Sequence, residues 1–84
     1  MQRDIIVKEL QDIFRLVFKD NQINISNEMT AADHDAWNSL GHIHLIVAVE
    51  EDFKVRLSNA EVARLTKVGD LIDLLQSKTS KLAS

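Results

Sequence analysis

Proline is absent from this chain, and glycine occurs only twice, at Gly41 and Gly69. Folds built from β-strands need many turns, and tight turns depend on these two residue types, so the composition favours helices. The chain has 84 residues, of which 45% are hydrophobic, and this length is sufficient for one small core but not for two. The sequence therefore predicts a single all-α domain over residues 1–84.

Cysteine is also absent, which excludes a disulfide framework, a cysteine-ligated metal site and a cysteine nucleophile. No apolar run approaches the roughly 18 residues that cross a membrane. The N-terminal residues lack the apolar segment of a signal peptide. We expect a cytoplasmic protein that does not bind membranes, with a monomer as the default state.

Apolar side chains recur at the spacing of an amphipathic helix in two long stretches, residues 4–18 and 39–53. The apolar face expected for the first helix consists of Ile6, Leu10, Ile13, Phe14 and Val17. The apolar face expected for the second consists of Ile43, Ile46, Val49 and Phe53. Leu40 and Val47 fall on another side of the second helix, which makes them candidates for contacts with partners.

Two further helices are predicted after the second stretch. Ser58 and Glu61 have the spacing of a capping box, which predicts one or two turns of helix. Thr66 is a candidate N-cap for a last helix over residues 67–77, and residues 78–84 are expected to form a frayed tail. The apolar face of the last helix consists of Val68, Leu71, Ile72 and Leu75. The predicted fold is a small four-helix bundle of three longer helices and one short helix, with a long loop between the first two.

Acidic side chains are concentrated in the middle of the chain. Residues 20–52 contain no lysine or arginine, and their seven acids are Asp20, Glu28, Asp33, Asp35, Glu50, Glu51 and Asp52. Contacts with nucleic-acid phosphates require lysine and arginine, so we do not expect this segment to bind nucleic acid. It is suited either to a partner with a basic surface or simply to solvation.

The most informative segment lies where the long loop meets the second helix. Ser39 falls at the helix N-terminus, where unpaired backbone N–H groups and the helix dipole favour a phosphate. Alternatively, Asn38 or Ser39 only caps the helix. A catalytic set of Asp35, Ser39 and His42 is conceivable, but a helical chain of this size has little protein with which to enclose an oxyanion site and exclude water from it. His42 and His44 lie about 200° apart on one helix, which is poor geometry for a shared metal ion.

Three runs of sequence resemble the acyl carrier protein family. The run Asn38-Ser39-Leu40 is similar to the family's Asp-Ser-Leu motif at the start of the second helix, with asparagine in place of aspartate. Residues 44–53 resemble the family's apolar second helix, which ends in an acidic cluster and a phenylalanine. Residues 65–72 resemble the segment that leads into its last helix. Together the runs extend the resemblance over essentially the whole chain.

The resemblance implies a carrier protein without catalytic activity of its own. It implies that Ser39 carries 4'-phosphopantetheine, transferred from coenzyme A by a phosphopantetheinyl transferase. The thiol of this arm, which a chain without cysteine has to acquire, would hold acyl or aminoacyl groups as thioesters. The implied partners are the transferase and the acyl-loading or acyl-transferring enzymes, with basic docking surfaces.

Partner recognition is expected on the second helix and the residues before it. The residues expected to contribute are Asp35, Asn38, Leu40, Val47, Glu50 and Glu51. Exposed ion pairs contribute only about 0–1 kcal/mol each, so docking is expected to be transient. Two alternatives stay open: an unmodified structural adaptor of the same fold, and a small metal-binding module built on the histidines.

Overall fold

A computed structural model describes the backbone of residues 2–83 and the side chains of residues 2–79. The helices are α1 (Arg3–Val17), α2 (Ser39–Phe53), α3 (Asn59–Ala63) and α4 (Val68–Ala83), and a 3₁₀ turn covers Ala31–Asp33. No β-strand occurs within these described residues. The predicted all-α bundle of three longer helices and one short helix is confirmed. In the same part of the chain, none of the helices has the length and hydropathy needed to cross a bilayer.

The core forms where α1 packs against α2 and α4. The predicted apolar face of α1 is buried, except that Val17 is only partly buried against the core. All four residues of the predicted α4 face are buried: Val68, Leu71, Ile72 and Leu75. Burial of one such side chain contributes about 1.5–3 kcal/mol, so these two faces supply much of the stability of the core on which the loop and α2 pack.

Three of the four residues predicted for the core face of α2 are buried, namely Ile46, Val49 and Phe53, and one is not. Leu45 and Val49 are fully buried, whereas Ile43, predicted on the core face, is 58% exposed. The prediction for Ile43 was therefore wrong, because α2 carries more apolar side chains than one face can bury and hydrophobic periodicity does not fix the edge of the buried face. Ile43 lies instead with Leu40 and Val47, which are exposed as expected. We call these three residues the outer face of α2.

α4 begins at Val68 rather than at residue 67, and Thr66 does not act as its N-cap. The carboxylate of Asp70 caps the start of α4 instead. It accepts hydrogen bonds from the backbone N–H of Lys67 at 3.2 Å and from the side-chain hydroxyl of Thr66 at 2.9 Å. Thr66 is thus a donor to Asp70 and not an acceptor for the helix. An acid three residues into a helix reaches back in this way in capping boxes.

The C-terminal end of α4 lies beyond the predicted end at residue 77. The helix continues to Ala83, through most of the segment 78–84 that was expected to fray, and Ser84 lies outside the described residues. The physical reason is that no glycine or proline follows residue 77 to stop the helix.

α3 begins with the predicted capping box. The Ser58 hydroxyl accepts from the Glu61 N–H at 3.1 Å, and the Glu61 carboxylate accepts from the Ser58 N–H at 2.9 Å. Glu61 also forms an ion pair with Lys78 at 3.1 Å. The short helix is therefore connected to α4 through its own cap.

The long loop between α1 and α2 is attached to the core and to α4. Ile23 is buried, and Met29 is partly buried against the core. The carbonyl oxygens of Met29 and Asn27 accept from the first two N–H groups of α4, those of Val68 at 2.9 Å and Gly69 at 3.0 Å. These N–H groups have no partner within their own helix, so the loop satisfies them and is held in place in return.

Candidate functional site

Ser39 is the first residue of α2, and its side chain is exposed. Asn38 is the N-cap, with its Oδ1 accepting from the Gly41 N–H at 2.9 Å. Of the two candidate caps, the structure uses Asn38, so the Ser39 hydroxyl is not required for capping. The start of α2 therefore presents an exposed hydroxyl beside backbone N–H groups with partial positive charge.

Trp37 holds the end of the long loop on the core. Its side chain is only 6% exposed. The indole ring meets Phe14 edge to face at a centroid distance of 5.3 Å and lies 6.2 Å from Phe18. Such aromatic pairs contribute about 0.5–1.5 kcal/mol beyond the area they bury. Because Ser39 follows two residues later, the core and not a loose loop sets its position.

Gly41 allows α2 to lie directly against this loop. A Cβ atom at this position would overlap the carbonyl oxygen of Ala36 and would lie 3.3 Å from the Phe18 ring. The backbone dihedral angles of Gly41 are ordinary helical ones, so the need for glycine comes from close contact and not from strain. The contact fixes the turn that leads into Ser39.

A shallow surface cavity of about 520 Å³, widely open to solvent, lies beside Ser39. Its lining residues are Ala31, Trp37, Asn38, Ser39, His42 and Leu65. They come from the 3₁₀ turn, the end of the long loop, the first turn of α2 and the segment between α3 and α4. Because it is so open, this cavity can contact one side of a small organic group but does not enclose it.

His42 lines this cavity and is joined to Trp37. The Trp37 Nε1–H donates to His42 Nδ1 at 3.0 Å, and the two rings are nearly parallel, with an interplanar angle of 13°. An indole nitrogen only donates, so Nδ1 carries no proton, and the proton of the neutral imidazole is on Nε2. In a catalytic triad, the acid accepts a hydrogen bond from the Nδ1–H of the histidine, and here Nδ1 is hydrogen-bonded to Trp37 instead. The conceivable set of Asp35, Ser39 and His42 is therefore not assembled.

The comparisons with known proteins agree on one family, although no family model matches the chain. In solved structures, it is similar to the holo acyl carrier protein of Geobacter metallireducens, with a TM-score of 0.87 and 40% identity over 92% of this chain and 88% of that chain. The acyl carrier protein of Buchnera aphidicola is 33% identical over 60 residues, which are 71% of this chain and 75% of that protein. The chain belongs to the acyl carrier protein family. The acyl carrier protein of Acidothermus cellulolyticus is 29% identical over 94% of both chains.

Membership in the acyl carrier protein family confirms the predicted class of function. Members hold acyl groups on a 4'-phosphopantetheine arm and have no catalytic activity of their own, so this chain is a carrier and not an enzyme. Among the described residues, no group of three or more possible metal ligands comes together.

Most of the residues predicted for partner recognition in this acyl carrier protein lie on its surface. The exposed ones are Asp35, Asn38, Leu40, Val47 and Glu51. Glu50 differs, because it is half-buried and its Oε2 accepts from the Leu57 N–H at 2.9 Å. This hydrogen bond gives Glu50 a structural role, closing the connection after α2, that the sequence did not predict.

Ile43 is a surface residue that the sequence pattern placed in the core. It lies on the outer face of α2, between Leu40 and Val47 in sequence. Leu40 is 61% exposed, Ile43 is 58% exposed and Val47 is 48% exposed. The three positions are separated by three and four residues, which is itself the spacing of a helical stripe. The sequence therefore contained the periodicity of this exposed stripe, but the stripe through Ile46, Val49 and Phe53 is equally regular.

A second histidine, His34, connects the long loop to the end of α1. Its Nδ1 accepts from the Ala36 N–H at 3.1 Å, so Nε2 carries the proton and donates to Asp20 Oδ2 at 3.0 Å. The imidazole also stacks on Phe18 at 5.5 Å. The backbone N–H of Gln22 and, secondly, His34 stabilise the carboxylate and lower the pKa of Asp20 below its ordinary value.

We expect Asp20→Asn to lower the thermal stability at neutral pH. Because the pKa of Asp20 is lower in the folded state than in the unfolded state, the carboxylate stabilises the fold above the unfolded value of about 3.9. This stabilisation is lost as the pH falls through the folded pKa. The difference in Tm between wild type and variant, measured by circular dichroism, should therefore shrink from about pH 7 to about pH 3.

The control for this experiment is Asp35→Asn, which changes an exposed acid on the same loop. We expect it to leave Tm unchanged at both pH values, within the range of about 0.5 kcal/mol that is usual for surface substitutions. A Tm difference for Asp20→Asn that stayed the same at low pH would contradict the interpretation.

Proposed function

We propose that Ser39 is the attachment residue for the 4'-phosphopantetheine arm and that the chain presents acyl or aminoacyl groups on it to partner enzymes. The observation that supports this is the exposed Ser39 hydroxyl in the first turn of α2, where Asn38 performs the capping. When bound, the arm supplies a reactive thiol, and the chain itself has no cysteine.

The surroundings of Ser39 are suited to a phosphodiester and to the chain that follows it. Backbone N–H groups at the start of a helix interact favourably with an anion, by about 0.3–1 kcal/mol. Trp37 and Leu65 provide apolar wall in the adjacent cavity. An arm on Ser39 would thus have both a charged and an apolar contact before it reaches solvent.

The protein's own residues position the modified serine and take no part in thioester chemistry. Trp37 fixes the loop on the core, and Asn38 fixes the first turn of α2. Both act on the backbone next to Ser39, so a transferase meets the hydroxyl in a defined position.

The test is the intact mass of the protein after incubation with coenzyme A and a broad-range phosphopantetheinyl transferase. We expect the wild type to gain the mass of one phosphopantetheine and Ser39→Ala to gain none. Alanine is a good helix former, so the helical content of the variant should be unchanged by circular dichroism. Ser26→Ala, which changes an exposed serine of the loop, is the control and should be modified fully. Modification of Ser39→Ala, or of neither protein, would rule out the site.

A second candidate is an adaptor of the same fold that is never modified. The feature that favours it is Asn38, which stands where the family has aspartate and caps the helix without offering a charge to the transferase. This function predicts unmodified protein from the native host and full biological activity for Ser39→Ala. The mass of the native protein distinguishes the two candidates.

We also propose that the transferase and the acyl-handling enzymes dock on the outer face of α2. Leu40, Ile43 and Val47 together expose a continuous apolar stripe, and Glu51 is exposed on the same helix. A partner with an apolar contact surrounded by basic side chains would complement this surface. The ion pairs would mainly increase the association rate, which suits a carrier that has to leave each enzyme.

Leu40→Asp is expected to lower kcat/KM for modification by the transferase about tenfold or more. The reason is that a truncated central contact commonly costs more than about 1 kcal/mol of binding energy, and about 1.4 kcal/mol corresponds to a factor of ten. The control is Leu16→Asp, which places the same charge at a leucine of α1 that is 77% exposed. Equal losses in the two variants would contradict docking on the outer face of α2.

A further inference from the structure

The hydrogen bond between Trp37 and His42 does more than attach the loop. The Trp37 side chain is buried, so its N–H has to find an acceptor inside the protein, and that acceptor is His42 Nδ1. If the proton were on Nδ1, an N–H of His42 would face the N–H of Trp37. If the imidazole ring were flipped, a carbon atom would face the N–H of Trp37 in place of Nδ1. Trp37 therefore determines which imidazole nitrogen carries the proton.

The remaining N–H of His42, on Nε2, belongs to a ring that lines the cavity beside Ser39. His42 follows Ser39 by three residues on α2, and side chains at this spacing lie next to each other, about 5–6 Å apart at Cβ. A phosphodiester on Ser39 would place negatively charged oxygens beside the same cavity that the His42 ring lines. A hydrogen bond from a neutral donor to a charged acceptor is roughly twice as strong as one between neutral groups.

We propose that His42 donates a hydrogen bond from Nε2–H to the phosphodiester on Ser39, and that Trp37 is the positioning residue that fixes the required tautomer. The inference rests on the proposed modification of Ser39. It assigns to His42 the role of holding the base of the arm against the cavity. His44 cannot take this role, because it lies about 200° further around the helix and is exposed.

The first test needs no variant. Protein labelled with ¹⁵N in its histidines is measured before and after modification, and intact mass confirms that the arm is present. In long-range ¹H–¹⁵N spectra of the unmodified protein we expect His42 to be in the Nε2–H tautomer only. After modification, the Nε2 proton should exchange more slowly with water. A mixture of tautomers, or an exchange rate that modification leaves unchanged, would overturn the inference.

The second test is the ³¹P resonance of the arm in the modified protein. We expect this resonance to shift in His42→Ala and to stay at the wild-type position in His44→Ala, the matched control. Trp37→Phe keeps an aromatic ring in the core but removes the indole donor, so its His42 should show both tautomers and its ³¹P resonance should move towards that of His42→Ala. A ³¹P resonance unaffected by His42→Ala would show that His42 serves only as the acceptor for Trp37.

The two proposals fail in different ways. If the wild type gains no mass, Ser39 is not modified and the proposed function is wrong. If it gains the expected mass but His42 does not respond, the modification is correct and only the role of His42 is rejected. Where His42→Ala does not fold, the tautomer and exchange measurements on the wild type decide the question.

Discussion

Replacing Gly41 with alanine is expected to destabilise the start of α2 and to slow the modification of Ser39. In the interior of an exposed helix this change usually stabilises by about 1 kcal/mol. Here the added Cβ would overlap the carbonyl oxygen of Ala36, a backbone atom that cannot rotate away. Overpacking of this kind typically costs about 1–3 kcal/mol. For a domain of this size each kcal/mol lowers Tm by roughly 4–8 °C.

The matched control is Gly69→Ala, at the other glycine of the chain. Its Cβ would lie 3.0 Å from the carbonyl oxygen of Asn27, so a shift of a few tenths of an ångström relieves the contact. We expect a smaller loss of Tm and an unchanged rate of modification, because Asn27 is not part of the cavity beside Ser39. Thermal unfolding by circular dichroism and the modification rate are the two measurements. A Gly41→Ala variant as stable as the wild type would show that the loop moves freely.

Trp37→Ala is expected to have the largest effect on stability, a loss of about 3–5 kcal/mol in the free energy of unfolding. The change removes a ring that packs on Phe14 and Phe18 and takes the donor away from His42. Because small domains have only about 5–15 kcal/mol of stability, Tm should fall by more than about 10 °C. Urea denaturation followed by circular dichroism measures the loss, since Trp37 is the only tryptophan and its fluorescence is absent from the variant.

Leu16→Ala is the control for this experiment, because it removes a large apolar side chain that is 77% exposed. The free energy of unfolding should change by no more than about 0.5 kcal/mol. If Trp37→Ala lost as little as Leu16→Ala, the tryptophan would not be the anchor of the loop that the packing indicates.

The sequence was most informative where a helix has one apolar and one polar face. For α1 and α4, the buried residues follow the predicted stripes, because hydrophobic periodicity defines a single face that can be buried. For α2, the bounds at Ser39 and Phe53 were correct and most of the predicted face is buried, but Ile43 is exposed. An apolar helix that has to bury one side and present another to partners contains two stripes, and its sequence alone does not rank them.

At the site, the features set by neighbouring residues in the sequence were predictable, and the contacts that depend on the tertiary fold were not. The position of Ser39 at the start of α2 follows from capping preferences within a few residues. The contact between Trp37 and His42 depends on how the preceding loop is folded against Phe14, which no short-range pattern specifies. The same is true of Glu50, whose hydrogen bond to Leu57 depends on the path of the chain after α2.

The attachment of the long loop to α4 has a consequence for how a carrier delivers its cargo. The carbonyl oxygens of Asn27 and Met29 accept from the first N–H groups of α4. Because of these hydrogen bonds, we expect the long loop and the start of α4 to unfold together, as one cooperative unit. On the proposed attachment of the arm to Ser39, the loop that leads to the arm is thus tied to the last helix. We therefore expect the travel between one active site and the next to come from the pantetheine chain and from tumbling of the whole domain rather than from bending of this loop.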